Sequence, residues 1–212
     1  MPPATDPAPC VIAVAGRRID PAMEATPPCF PYANVPAVHA AFRSALARER
    51  PALVIASAAC GADLIALSAA AAAGIRFRVV LPFAAAMFRA SSVVDRPDPA
   101  YWGPLFDRII AGARSHGDLV VLGLSPDDPH VYARTNAAIL AQASETGSRL
   151  DPAARCLALI AWDRAARAGA DETKGMAELA LSKGFEVREI STLDPQAGDA
   201  PYRGVGGTEQ DR

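Results

Sequence analysis

Six short stretches of this chain are apolar almost without interruption: Cys10–Ala15, Leu53–Ser57, Phe77–Leu81, Leu119–Leu122, Cys156–Ala161 and Phe185–Ile190. A strand with one wet face alternates apolar and polar residues. Runs without alternation suit strands covered on both faces, as in a parallel sheet. The last run is mixed. Its Glu186, Arg188 and Glu189 place it at a sheet edge.

Helix-like segments separate these runs. Val35, Val38, Phe42 and Leu46 recur at helical spacing along Val35–Arg50. Ala62–Ala73 is alanine-rich and stops at Gly74, Val131–Thr146 stops at Gly147, and Thr173–Lys183 stops at Gly184. Glycine just beyond the last turn is an expected stop signal. Tyr101–Ser115 supplies a further helix after a Pro-rich stretch. Strands alternating with helices imply βαβ units with right-handed crossovers. The expected fold is α/β: a three-layer αβα sandwich on a mainly parallel, Rossmann-like sheet of about six or more strands. One domain is expected over 10–194, with a flexible start at 1–9 and a disordered tail at 195–212, which is polar and rich in Gly, Asp and Gln.

With 51% hydrophobic residues among 212, such a chain buries a core without disulfides or metal. Its net charge of −2 disfavours nucleic-acid binding driven by bulk charge. Cys10, Cys29, Cys60 and Cys156 form no CxxC pair, so neither a zinc site nor a redox dithiol is expected. No metal or cofactor is called for beyond a possible nucleotide ligand. The apolar run Ala66–Ile75 is too short for a membrane span, and a cytoplasmic protein is expected.

Two segments break the alternation: Arg17–Ala33 and Ala84–Pro99. Both follow strand ends, where open α/β sheets place ligands. The strongest local signal is Ser57-Ala58-Ala59-Cys60-Gly61-Ala62-Asp63, which follows a strand and opens a helix. Small residues let a ligand approach the backbone, and free N–H groups at a helix start favour an anion. Asp63 either caps the helix or receives a sugar hydroxyl. Tight strand-to-helix packing explains the same residues equally well. After the first strand, Gly16 makes a turn, and Arg17 or Arg18 either clamps a phosphate or is simply solvated. GxGxxG is absent, so a dinucleotide fingerprint is not supported. Leu81-Pro82-Phe83, Phe88 and Ser91 offer pocket walls or, more simply, core. Trp162 and Asp163 end the fifth strand, as a stacking platform with a carboxylate or as core and turn. Tyr132 and Asn136 share one helix face that either enters the site or braces the helix. His39, His116 and His130 are scattered, and no Ser/His/Asp arrangement emerges.

Taken in order, these motifs resemble the SLOG superfamily of Rossmann-like proteins, over residues 10–190 and chiefly in its YspA/YpsA-type branch. LOG/lysine-decarboxylase-like and DprA-like proteins are more distant relatives. Gly16-Arg17-Arg18 is similar to the family's G-H-R, and Ser57–Asp63 to S-G-x-A-x-G-A-D with Ala58 for glycine. Leu81-Pro82-Phe83 with Phe88 and Ser91 follows the third motif, and Trp162-Asp163 the fourth. Thr173 stands at the family's spacing from Gly184, but Asp171-Glu172 replace the glycines before it. The resemblance implies a pocket for an ADP-ribose-like or nucleoside-monophosphate molecule. Cytokinin-nucleotide hydrolysis, as in LOG enzymes, needs a glutamate three residues after that threonine. Met176 stands there instead.

Three readings follow. One is a binding or sensing protein for a nucleotide-like molecule, held by Gly16, Arg17, Arg18, Ser57, Ala58, Gly61, Ala62 and Asp63. Pro82, Phe83, Phe88, Ser91, Trp162, Asp163 and Thr173 would complete that pocket. A second is an enzyme cleaving an N-glycosidic bond, with Asp63, Asp163 or Glu172 as the acid/base or nucleophile. A third is an oligomeric scaffold with a degenerate site, whose mark would be Arg17 paired with Glu172 across a closed pocket.

Overall fold

The apolar runs become strands because Val, Ile, Leu and small residues pack against neighbours on both faces. The computed structural model describes residues 8–21, 27–167 and 171–202. Six strands arise where the runs stood: β1 Cys10–Gly16, β2 Leu53–Ala56, β3 Phe77–Leu81, β4 Leu119–Val121, β5 Arg155–Trp162 and β6 Glu186–Ser191. A seventh, β7, spans Asp199–Pro201. Among the described residues they form one sheet in the order β4-β3-β2-β1-β5-β6-β7. All pairings are parallel except β6 with β7. The register of β1 with β5 runs from Cys10↔Arg155 to Gly16↔Ala161.

Alternate residues of β1 serve opposite layers. Cys10, Ile12 and Val14 enter one core, and Val11, Ala13 and Ala15 the other. The first core is closed by α1 Val35–Glu49, α2 Ala62–Ala72, α3 Ala85–Ser92 and α4 Pro99–Ser115. The second is closed by α5 Val131–Leu150 and α6 Glu172–Ser182. Val38, Ala41, Phe42, Ala45 and Leu46 are the buried stripe of α1, the spacing an amphipathic helix requires. The result is a Rossmann-like αβα sandwich. Strand order reverses between β1 and β5, which sets a crevice at their C-terminal ends.

Several expectations need correction. The segment Ala84–Pro99 is not irregular throughout, because α3 forms within it. Gly147 does not stop α5, which continues to Leu150. A Cβ on Gly147 would lie 3.1 Å from Cys156 Sγ, so this glycine lets the helix sit close to β5. β6 is not an edge. β7 covers it, through the pairs Arg188↔Pro201 to Ile190↔Asp199. Residues 195–202 are thus part of the fold rather than of a disordered tail. Asp199 anchors them, accepting from Arg48 Nη1 at 2.7 Å and Nη2 at 2.6 Å and forming an ion pair with Arg188, whose Nε lies 2.6 Å away. Residues 203–212 and 1–7 lie outside the described residues. No helix among the described residues is long and apolar enough to cross a membrane.

Candidate functional site

The end of β1 is held by contacts that only glycine permits. A Cβ on Gly16 would meet Ala161 O at 2.4 Å and Ala62 Cβ at 2.5 Å. Gly61 has φ +110°, and its Cβ would meet Arg17 O at 2.7 Å and Ile19 N at 2.9 Å. Arg18 and Gly61 form an antiparallel bridge, and Ala62 N–H donates to Arg17 O at 3.2 Å. The β1 and β2 loops are therefore stitched to each other. The backbone brought close by Gly61 is the chain's own. Leu64 N–H also has an internal acceptor, Ala59 O at 3.3 Å, so these helix-start donors are spent. Ala58, Gly61 and Ala62 are structural and do not line the cavity described below.

Arg17 is no phosphate clamp. Its Nε donates to Asp163 at 2.8 Å, Nη1 and Nη2 to Asp171 at 2.7 and 2.9 Å, and Nη2 to Ala165 O at 2.6 Å. Burial opposes its charge, but the bonds to Asp171 and Asp163 prevail and raise its pKa. Burial likewise pushes Asp171 upward. The guanidinium and the backbone N–H groups of Lys174 and Arg167 outweigh that and hold it at about 2. Asp163 is consumed in this cluster and does not line the cavity, which removes it from the catalytic candidates. Arg17 Cζ lies 5.9 Å from the Trp162 ring centroid. Trp162 is wholly buried, donates to Glu189 Oε2 at 2.9 Å and stacks on Tyr202. It is core, not a ligand platform.

Beside this cluster a cavity of about 540 Å³ opens at the β1–β5 switch point. Gly16, Arg17, Arg18, Ser57 and Asp63 line it from the β1 and β2 loops. Glu172 and Thr173 line it from the head of α6, and Phe88 and Ser92 from α3. Tyr132, Thr135, Asn136 and Ile139 form one stripe of α5 facing it, a continuation of the Tyr132–Asn136 face. Asn136 Nδ2 also donates to Glu172 O at 3.0 Å, fixing α5 to α6. Pro82, Phe83 and Ser91 are not in the lining. Phe83 and Phe88 belong to an aromatic core with Phe106, and only Phe88 reaches the cavity. Ser91 is exposed because α3 turns Ser92 inward, one helical turn from Phe88. Asp20, Cys29, Arg96, Arg167 and Asp171 line the cavity without having been singled out as ligands by the sequence motifs. Asp171 was visible only as a replaced glycine, and it is the N-cap of α6.

Asp63 is the most unusual acid in the lining. It is buried, and the donor facing its carboxyl is Ala59 N–H at 3.3 Å. Burial raises its pKa to about 7, against weaker opposing pulls from Ala59 N–H and Arg18. Burial also raises Glu172, with Asp171 adding to this and His130 opposing it. The folded value of Asp63 exceeds the unfolded one of roughly 4. Ionisation therefore works against folding, and stability present below pH 4 is lost as pH rises toward 7. Denaturant titrations of Asp63→Asn should remove this slope, which is on the order of 1.4 kcal/mol per pH unit. Parallel profiles for wild type and variant between pH 4 and 7 would contradict it. Among the described residues, no group of three or more His, Cys, Asp or Glu side chains could hold a metal ion.

No protein-family model matches the chain, and the search of curated proteins returned no match. Among solved structures, it is similar to DNA processing protein A (DprA) from Streptococcus pneumoniae, at 15% identity and a TM-score of 0.47. The match covers 86% of this chain and 50% of that one, so the chain spans about half that protein's length. At this distance the likeness bears on neither ligand nor partner. The Rossmann-like architecture rests on the sheet itself.

Proposed function

We propose that the chain binds a nucleotide or nucleotide-derived small molecule, of the ADP-ribose or nucleoside-monophosphate kind, at the β1–β5 switch point. The observation that carries this reading is the buried Asp63 carboxyl in the wall of a 540 Å³ cavity, with one weak donor among the described residues. That volume falls within the roughly 300–1,000 Å³ of small-molecule sites. An acid left with free hydrogen-bonding capacity suits a sugar hydroxyl. Ser57, Thr135 and Thr173 add hydroxyls, and Arg18 and Arg96 add positive charge. The motif order similar to the YspA/YpsA-type SLOG branch supports the same class of ligand. A thermal-shift series with nucleoside monophosphates, NAD, ADP-ribose and cyclic nucleotides tests it. A rise in melting temperature with at least one is expected, and its loss in Asp63→Ala. No shift with any of them at millimolar concentration would overturn the reading.

One observation favours a second reading. With its pKa near 7, Asp63 is poised to give a proton to a departing base at neutral pH. With Asp171 committed to Arg17 and Asp20 accepting Cys29 N–H at 3.1 Å through both oxygens, Glu172 is a further acid in the lining. The reaction would be cleavage of an N-glycosidic bond. It would differ from LOG chemistry, since Met176 is buried in the core under α6 where that motif needs glutamate. Chromatography of nucleotides incubated with the protein would reveal a freed base. Ligand binding without base release leaves the binding role alone standing.

A further inference from the structure

The head of α6 is built to hold an anion, and the chain fills it itself. Besides the fork from Arg17, Asp171 accepts N–H bonds from Thr173 and Lys174 at 3.1 Å each and from Arg167 at 3.0 Å. A ligand phosphate brought there would find these donors engaged. It would also face the carboxylates of Asp171 and Asp163.

Conditions are reversed at the connection between α3 and α4. Arg96 lines the cavity, and its Nε is buried with no hydrogen-bond partner among the described residues. The acid near it is Asp95, with Oδ2 at 3.7 Å, too far for a hydrogen bond. Its side chain is only 22% exposed, so water serves this guanidinium poorly. Arg18 pairs with the same Asp95 through Nη2 and reaches Cys60 Sγ at 3.8 Å. Its own Nε is also buried without a partner among the described residues. Two guanidiniums thus share one carboxylate, which leaves the pair with a positive charge. Buried N–H groups without acceptors are rare, because each forfeits its bond to water. Ser92 and Tyr132, hydroxyls 3.4 Å apart, border the same cavity.

We infer that Arg96 and Arg18 seat the phosphate of a nucleoside 5′-monophosphate, at a place separate from the filled head of α6. This rests on the nucleotide-binding reading above. Two guanidiniums with spare donors match the several acceptor oxygens of a phosphate monoester.

Calorimetry with adenosine, guanosine, cytidine and uridine, each beside its 5′-monophosphate, tests the assignment. At least one monophosphate should bind wild type about tenfold or more tightly than its nucleoside, as a charge-assisted contact allows. Arg96→Gln should abolish that preference, bringing the monophosphate to within about twofold of its nucleoside, with Arg18→Gln doing the same. Melting curves verify that each variant is folded, and Arg96 carries the test if Arg18→Gln is not. A preference that survives Arg96→Gln overturns the assignment. Equal binding of nucleosides and monophosphates to wild type also overturns it, while the nucleotide-site reading stands. No binding of any probe overturns the assignment as well, and the thermal-shift series with NAD and ADP-ribose then decides the nucleotide-site reading.

Discussion

Replacing Arg17 with methionine should lower the free energy of unfolding by about 3–5 kcal/mol, because it strands two buried carboxylates. The side chains of Arg17, Asp163 and Asp171 are each 3–4% exposed. Their mutual attraction offsets the desolvation of all three, and removing the one cation leaves the anions uncompensated. The triple variant Arg17→Met, Asp163→Asn, Asp171→Asn should therefore recover a large part of the loss. Replacing a whole buried cluster is often close to neutral. pH supplies a second check. Asp171 is held at about 2, below its unfolded value. In wild type its contribution is present above about pH 4 and lost as pH falls toward 2. In Arg17→Met the same acidification neutralises a stranded charge. The stability gap between the two proteins should accordingly narrow as pH falls through that window. Urea titrations measure both effects. A loss under about 1 kcal/mol, or a gap independent of pH, would show that the cluster does not hold β1 to the β5–α6 connection.

Alanine at Gly16 or at Gly61 should destabilise by about 2–5 kcal/mol, through overpacking at both and backbone strain at Gly61. At Gly16 the new methyl meets a carbonyl and another Cβ, neither of which can swing aside. At Gly61 it meets the backbone of Arg17, Arg18 and Ile19, and φ +110° is unfavourable for any L side chain. The contrast is Gly175, inside α6, where a Cβ meets nothing within 4 Å. Gly175→Ala should stabilise by about 0.4–1 kcal/mol through the unfolded chain. Thermal melts of the three variants test the set together. Equal effects at all three positions would mean that the close approach of the β1 and β2 loops is not what these glycines serve.

The sheet was legible because its strands are buried on both faces, which leaves continuous apolar runs. β7 carries no such run. Asp199-Ala200-Pro201 pairs because Arg48 and Arg188 hold its aspartate, a tie invisible in local sequence. α3 was hidden by its length of eight residues and the lack of a side-chain cap. At the site, the loops after β1 and β2 were legible from Gly16 and Ser57–Asp63, but the purpose of the glycines was not. Spacing cannot tell a backbone that approaches a ligand from one that approaches another loop. The same limit applies to Arg17, whose acids lie 146 and 154 residues further on. Trp162 reads as a platform or as core until Glu189 and Tyr202 are seen to hold it.

Those long separations also set the order in which the cavity can come into being. A nascent chain that has emerged as far as α4 already carries β1, Arg17 and the Ser57–Asp63 loop. It lacks the α5 stripe, and it lacks both acids that keep Arg17 buried. Until Asp171 is translated, this guanidinium has no native partner. The cavity is thus completed only after α5 and the head of α6 have been translated. Its closure requires β1 to meet α5 and α6, and fragments stopping short of α6 lack part of its wall.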